Sequence, residues 1–213
     1  RRVLFRSLFN APDILKSLVE LNVSRNNIGN QGCQDISEAV IKFPQLKKLN
    51  LKDCCIDAQG VAYLASASCL QRLISLNLSN NSIGDEGCKH IANSKILINI
   101  ERIILNDCDI SQNGVKALCQ SPIIKFLKIL SFSNNQKINN EAAQSIAECP
   151  YFFNLNELFL DGCSLTIQGI GKICSSRNLA RLRLLKIFGE NIGKLIADDL
   201  KRELGIDNNL EIK

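Results

Sequence analysis

The stretch that decides the fold is LISLNLSNNSI, residues 73–83. Leucine or isoleucine occupies its first, fourth, sixth and eleventh positions, and asparagine occupies its ninth. Leu76 and Leu78 alternate with polar residues, which is the period-two pattern of a short strand with one buried face. The stretch therefore predicts a strand that sends two side chains into a core and three, Ser79 among them, towards solvent.

The same pattern recurs along nearly the whole chain, with successive copies starting 27 or 28 residues apart. The other copies begin at Leu18, Leu46, Ile100, Leu127, Leu155 and Leu182. A short polar turn, usually with a glycine, follows each copy, and a helical pattern follows the turn. A repeat of this length has room for one strand and one helix, and it cannot bury its apolar face without a neighbour. We therefore predict a coil of seven stacked repeats.

The predicted fold is an α/β solenoid with a parallel sheet. Because a helix is wider than a strand, the coil should curve into a horseshoe, with the sheet on the concave face and the helices on the convex face. We expect one domain over residues 1–213, with seven repeats at 18–195. Residues 1–17 would be the tail of a preceding repeat or an N-terminal cap. Residues 196–213 would be a C-terminal cap, with a helix at 196–205 and a final strand near Leu210.

The ninth position of the motif alternates strictly between two residue types over six copies: Asn26, Cys54, Asn81, Cys108, Asn135 and Cys163. This pattern resembles the leucine-rich repeat, and the alternation and period are similar to the ribonuclease-inhibitor-like subfamily. We predict that these six residues form a structural ladder along the coil, in which each asparagine bonds backbone groups of its own and adjacent turns. The chain departs from the pattern at an extra residue after Asn135, at Ala142 in place of glycine, and at Glu190.

Most of the ten cysteines follow the repeat as well. Cys33 and Cys88 are 55 residues apart, as are Cys119 and Cys174. A disulfide framework would not be expected to place cysteines in equivalent buried positions of every second repeat. We therefore predict reduced structural thiols and a cytoplasmic location, which would be a host cytosol for a secreted effector. The alternative is a redox-sensitive role for Cys54-Cys55, or for Cys69 and Cys149, which no repeat position explains.

The composition excludes several classes of function. His90 is the only histidine, no C-x-x-C pair occurs, and no glycine-rich phosphate loop is present, so we expect no catalytic residue, metal, cofactor or small-molecule substrate. Aromatic residues make up 5% of the chain and the net charge is +5, which disfavours nucleic acid. No apolar run approaches the roughly 18 residues of a membrane span.

Basic residues recur near the predicted strand entrances. They are Lys47, Lys48, Arg72, Arg102, Lys125, Lys128, Arg181, Arg183 and Lys186. A solvated face is the simplest interpretation of this loose basic edge. An acidic protein partner is the next interpretation, and nucleic acid is the last.

The outward strand positions form the natural recognition surface of a horseshoe. They are polar in the first three repeats, whereas apolar side chains occupy them from the fourth repeat onward. We predict a partner-binding patch of Ile104, Ile129, Phe159, Leu184 and Phe188, surrounded by Arg102, Asp161 and Lys186. The alternative is that the C-terminal segment or a neighbouring domain covers this patch.

The sequence thus favours a non-enzymatic protein-interaction module that binds a protein partner on its concave face, as part of a larger protein. The resemblance implies partners such as a ribonuclease, a signalling domain or a component of the ubiquitin machinery, although the positive net charge disfavours a basic ribonuclease. One alternative is a GTPase-activating protein of the Ran-activating type, which would need a loop projecting from the rim. Another is the substrate-recognition or sensor arm of a bacterial effector or an innate-immunity receptor.

Overall fold

A computed structural model describes residues 15–39, 43–188 and 211–212. Eight short strands in these ranges form one parallel sheet whose spatial order follows the chain order. The strands are β1 (Glu20–Asn22), β2 (Lys48–Asn50), β3 (Ser75–Asn77), β4 (Arg102–Ile104), β5 (Ile129–Ser131), β6 (Glu157–Phe159), β7 (Leu184–Lys186) and β8 (Glu211–Ile212). The predicted parallel sheet of a repeat solenoid is therefore confirmed.

A helix follows each of the first six strands. The helices are α1 (Gly29–Glu38), α2 (Ala58–Ser66), α3 (Gly84–Ala92), α4 (Gln112–Cys119), α5 (Asn140–Glu148) and α6 (Ile167–Cys174). Short 3-10 helices lead from four of these helices towards the next strand, at Ser68–Leu70, Pro122–Phe126, Phe152–Asn154 and Arg177–Leu179. None of the helices in the described ranges combines the length and apolarity that a bilayer crossing requires.

The core is a continuous layer between the sheet and the helices. Equivalent motif positions pair across neighbouring strands, so that Leu49, Leu76 and Ile103 lie in one buried row. A second buried row contains Leu51, Leu78 and Leu105, and the larger Phe132 continues it in the fifth repeat. Each repeat thus covers the apolar face of its neighbour, and stability resides in the stacking of adjacent repeats.

The extra residue of the fifth repeat is absorbed in its turn. The register is maintained on both sides, because Ile103 pairs with Leu130 and Leu130 with Leu158. Lys137 in the lengthened turn forms an isolated bridge with Ser111, and its ammonium lies 2.7 Å from the carboxylate of Asp109. The insertion therefore widens one turn and leaves the sheet unchanged.

Two other expectations have different outcomes. The predicted final strand is β8, which pairs in parallel with β7. The expected exposure of Ser79 is wrong, because this side chain is 3% exposed and its hydroxyl accepts the backbone N–H of Asn106 in the next repeat. The predicted cap helix at 196–205, most of the N-terminal segment 1–17 and Glu190 lie outside the described residues.

Candidate protein-interaction face and its supporting ladders

Two ladder asparagines, Asn81 and Asn135, each join two consecutive turns through one side chain, whereas Asn26 donates to the Val23 and Ser24 carbonyls of its own turn. In the third repeat, the Asn81 carboxamide oxygen accepts the N–H groups of Cys54 and Ile56 at 3.1 and 3.0 Å. Its amide nitrogen donates to the carbonyls of Leu51 and Leu78, both at 2.8 Å. Asn135 makes the equivalent bonds one double repeat later. Each buried amide therefore pairs backbone groups that would otherwise lack partners.

The ladder cysteines complement the asparagines. The thiol of Cys54 donates to the Val23 carbonyl, and that of Cys108 to the Leu78 carbonyl, each at 3.2 Å. Cys163 reaches the Phe132 carbonyl at 3.5 Å. A small, weak donor suffices at Cys54 and Cys108 because the asparagine of the following repeat accepts the N–H groups of their turns. This division of hydrogen bonding accounts for the strict alternation of the two residue types.

A second ladder, which the sequence analysis missed, runs along the C-terminal ends of the helices. In five repeats a hydroxyl or thiol donates to a backbone carbonyl at the end of the preceding helix. The donors are Cys69, Ser94, Ser121, Cys149 and Ser176, and the acceptors are Ile36, Ala65, Ala92, Cys119 and Ala147. Cys69 and Cys149 are thus structural residues with a repeat position of their own. The recurrence of serine or cysteine every 25 to 28 residues was the available signal.

All ten cysteines lie in the described ranges as free thiols, and Cys55 is the exposed one. Burial raises the pKa of Cys33 and Cys108 to about 12 and that of Cys69 to about 11. Cys55 occupies a turn with a left-handed φ of 58°, at the surface. Because the thiolate is the reactive species, Cys33, Cys69 and Cys108 are protected twice, by steric shielding and by their raised pKa. The hydrogen bond with Cys119 lowers the pKa of Cys149, so burial alone protects that thiol.

We expect iodoacetamide at pH 8 to modify Cys55 within minutes and to leave the other nine thiols largely unmodified until the protein unfolds. Peptide mass spectrometry before and after guanidinium denaturation measures both populations. The Cys55→Ser variant is the control and should lose the fast modification. Rapid native-state labelling of Cys69 or Cys149 would contradict their place in the second ladder.

The predicted patch lies on the sheet face, and its residues form a zigzag. Ile104 and Phe159 occupy one row of the sheet with Ser131 between them, whereas Ile129 and Leu184 occupy the neighbouring row with Glu157 between them. Successive apolar residues are therefore diagonal neighbours, roughly 7–8 Å apart. These four side chains are half-buried. The structure thus places them on one face but interrupts each row with a polar residue.

Phe188 lies two residues beyond the end of β7, diagonal to Phe159, and its side chain is 65% exposed. Its backbone N–H donates to a carboxylate oxygen of Asp161 at 3.0 Å. The other oxygen of Asp161 lies 3.7 Å from the ammonium of Lys186. Asp161 therefore holds the backbone beneath the exposed ring and pairs with the cation beside it. Arg102 is exposed at the other end of the patch.

The first three repeats present a polar surface on the same face. The side-chain oxygens of Asn22, Asn50 and Asn77 each accept the backbone N–H two residues further on, which fixes the end of each strand. A shallow depression of ≈ 530 Å³ crosses β1 to β5, and two ion pairs line it. They join Lys48 to Glu20 at 3.2 Å and Lys128 to Glu101 at 2.9 Å.

Within the described ranges, no group of three or more His, Cys, Asp or Glu side chains is arranged to hold a metal ion. His90 is half-buried on α3 and lines a separate surface depression with residues of α2.

Comparisons with known proteins identify the repeat. A family profile described as Leucine Rich repeat matches residues 15–37, 44–65, 71–92, 97–119 and 125–147, which together exceed half of the chain. No curated protein sequence matches the chain significantly.

Two solved structures resemble the fold. An internalin from Listeria monocytogenes strain 4b F2365 has a TM-score of 0.52 at 20% identity, with 91% of this chain and 52% of that chain covered. TLR13 in its complex with ssRNA13 has a TM-score of 0.50 at 18% identity, with 83% of this chain and 26% of the receptor chain covered. At these identities the likeness concerns the fold alone. This chain spans about half of the internalin and about a quarter of the receptor.

Proposed function

Because this chain belongs to the leucine-rich repeat family, we propose that it is a non-enzymatic protein-interaction module that binds a protein partner on its concave face. Leucine-rich repeats are typical interaction modules, which supports the general role. The observation that carries the specific proposal is Phe188, a 65% exposed ring diagonal to the half-buried Phe159 on the same face. Exposed aromatic residues on a rigid surface are typical anchors of protein interfaces.

The geometry around Phe188 suits an anchor. Phe159 lies diagonally next to it on β6, and the Lys186–Asp161 pair lies between the two rings along the sheet. Partner side chains could contact both rings while a polar group reaches the ion pair between them. Since strands and hydrogen bonds fix the backbone here, little conformational entropy would be lost on binding.

The finer assignments are part of the same proposal. The alternation of asparagine and cysteine supports membership of the ribonuclease-inhibitor-like subfamily. Free, buried thiols support a reducing, cytoplasmic compartment. We also propose that residues 1–213 form one repeat domain of a larger protein, and that the partner is a protein rather than a nucleic acid, a membrane or a small molecule.

A role as the recognition or sensor arm of a longer receptor or effector is the second candidate. The partial coverage of both structural neighbours favours it, because the matched part of each belongs to a longer chain. The TLR13 structure is a complex with ssRNA13, so the test must distinguish RNA from a protein partner. A Ran-type GTPase-activating role receives less support. It would need a loop projecting from the rim, whereas the spacing of the repeat copies varies by a single residue.

We expect Phe188→Asp and Phe159→Ala each to reduce partner recovery by about 10-fold or more, because a lost aromatic anchor typically costs about 2 kcal/mol or more. The measurement is quantitative mass spectrometry of proteins captured from cytosolic extract by wild type and by each variant, with and without ribonuclease treatment. Ile167→Ala is the matched control, because Ile167 is an exposed apolar residue of α6, on the opposite face. Equal recovery by wild type and both patch variants would refute the proposed site, and ribonuclease-sensitive recovery would indicate an RNA-mediated contact.

A further inference from the structure

A second apolar surface lies outside the sheet face, on the edge where the chain enters each strand. We call this surface the entrance edge and define it by the three segments 98–101, 125–128 and 153–156. It contains three large apolar side chains that are strongly exposed: Ile98 at 43%, Phe126 at 44% and Phe153 at 51%. They occur in three consecutive repeats, two residues before the motif for Ile98 and Phe153 and one residue before it for Phe126. The strand pattern did not reveal them because they precede the motif.

The backbone beneath these side chains is held firmly. Asn154 donates from its amide to the Lys125 carbonyl at 3.0 Å, and Asn99 donates likewise to the Gln71 carbonyl at 2.9 Å. Phe152, beside the exposed Phe153, is fully buried. Phe126 and Phe153 each belong to a short 3-10 helix. The exposed rings therefore project from fixed backbone that hydrogen bonds tie to the neighbouring repeats.

Cations outnumber carboxylates at the entrance edge and in the segments that flank it. Lys125 lies between Ile98 and Phe153 in the repeat order, and its ammonium is 4.9 Å from the ring centroid of Phe126. The equivalent segments of neighbouring repeats extend this charge. In the equivalent segments from the second to the seventh repeat the cations are Lys47, Arg72, Lys125, Lys128, Arg181 and Arg183, and the carboxylate is Glu101; Glu157 directly follows the third segment of the edge.

The arginines at the two ends of the edge have neutral partners. Arg181 donates to the Asn154 side chain at 2.9 Å, and Arg72 donates to the Gln45 side chain at 3.1 Å. Glu101 is already paired with Lys128. A carboxylate from another molecule would thus find guanidinium groups that are oriented by amides, and a guanidinium can bind a carboxylate in bidentate fashion.

We propose that the entrance edge around Ile98, Phe126 and Phe153 is a second interaction surface, and that its occupant is an acidic protein segment in which carboxylate residues flank apolar ones. The apolar side chains of the segment contact Ile98 and the two rings, and its carboxylates meet Lys125 and the flanking arginines. Charge complementarity selects this class of partner, and apolar burial supplies affinity that salt alone does not remove.

Single-stranded nucleic acid fits this surface less well. Bases stack on free aromatic faces, whereas one face of Phe126 lies under the Lys125 ammonium and Ile98 has no π-face. Phe153 and one face of Phe126 would remain as stacking surfaces, and Ile98 would contribute none. An acidic segment uses all three apolar side chains and the cations at once, and for that reason it is the occupant we infer.

The test uses fluorescence anisotropy with three labelled 12-residue probes. The first is a peptide of alternating Glu-Glu and Phe or Leu residues, the second replaces every Glu with Gln, and the third is oligouridine. We expect the acidic peptide to bind at least 10-fold more tightly than the other two, with an affinity that falls as the NaCl concentration rises. We also expect Phe153→Asp and Lys125→Glu each to weaken binding about 10-fold or more.

Phe188→Asp is the matched control, because it makes the same kind of substitution on the sheet face and should leave peptide binding unchanged. This control separates the two surfaces, so that failure of one proposal leaves the other standing. Far-UV circular dichroism verifies that each variant is folded. Absent binding of the acidic peptide at millimolar protein, unchanged binding by both edge variants, or tighter binding of oligouridine would each overturn the inference.

Discussion

Replacing Asn81 with alanine is expected to lower the free energy of unfolding by about 3 kcal/mol or more. The substitution removes both the acceptor of the Cys54 and Ile56 N–H groups and the donor to the Leu51 and Leu78 carbonyls. Asn81 is 3% exposed, so water cannot replace these bonds without opening the stack. Each buried backbone group left without a partner costs about 1–3 kcal/mol.

Cys108→Ala is the matched comparison, because Cys108 occupies the same ladder position one repeat later and is fully buried. Its thiol contributes weak bonds to the Leu78 and Asn106 carbonyls, and the backbone of its turn stays paired with Asn135. We expect a cost of about 1 kcal/mol. Urea unfolding of both variants and wild type, followed by circular dichroism, gives the difference. Equal losses of unfolding free energy in the two variants would show that the ladder asparagines stabilise the stack no more than the ladder cysteines do.

The rows of the sheet could be predicted because they depend on a pattern within one repeat. Leu76 and Leu78 identify the inward positions of β3, and the constant spacing of the copies then places the equivalent residues of every repeat in register. The Asn–Cys alternation likewise predicts the ladder from the sequence alone. Hydrophobic periodicity and exact repetition together therefore determine the architecture of a stacked coil.

Coverage by the neighbouring repeat could not be predicted in the same way. Ser79 has the sequence pattern of an exposed strand residue, but the backbone of the next repeat lies over it and bonds its hydroxyl. Cys69 and Cys149 have no obvious role until the end of the preceding helix is seen beside them. Periodicity reports which way a side chain points from its own turn, whereas burial in a solenoid also depends on the adjacent turn.

The residues of the two candidate sites also differ in how far the sequence predicts them. Phe159 and Phe188 could be assigned to the sheet face from their motif positions. Their diagonal relation, and the bond between Asp161 and the backbone of Phe188, follow only from strand pairing. Phe126 and Phe153 precede the motif, and their exposure depends on 3-10 turns that the repeat pattern does not specify.

The glycines show that alternate repeats differ at the start of their helices as well. In the third repeat a Cβ on Gly87 would lie 2.7 Å from the Cβ of Ile83 in the same repeat. In the fourth repeat a Cβ on Gly114 would lie 2.6 Å from a carboxylate oxygen of Asp85, which belongs to the preceding repeat. Glycines at the same motif position are therefore required by different neighbours. Gly87 is closest to a residue of its own repeat, and Gly114 is closest to a residue of the preceding repeat.

Asp85 caps a helix that is not its own. Its carboxylate accepts the N–H groups of Ser111 and Gly114 at 2.8 and 3.0 Å and the Ser111 hydroxyl at 2.6 Å, at the beginning of α4. Asn30 and Asn140 accept the backbone N–H groups of Asp57 and Thr166 in the same way, one double repeat before and after. The absence of a side chain at Gly114 leaves room for this cap between repeats.

Gly114→Ala is therefore expected to lower the free energy of unfolding by about 2 kcal/mol, although alanine in an open helical position would raise it by about 0.5–1 kcal/mol. The added methyl group must displace Asp85 and weaken its cap. In an Asp85→Ala background the cap is already lost and the closest contact is gone, so the same substitution should cost about 1 kcal/mol less. Urea unfolding of the wild type, both single variants and the double variant measures this coupling. Additive costs, within about 0.4 kcal/mol, would show that Gly114 serves its own helix rather than the contact between repeats.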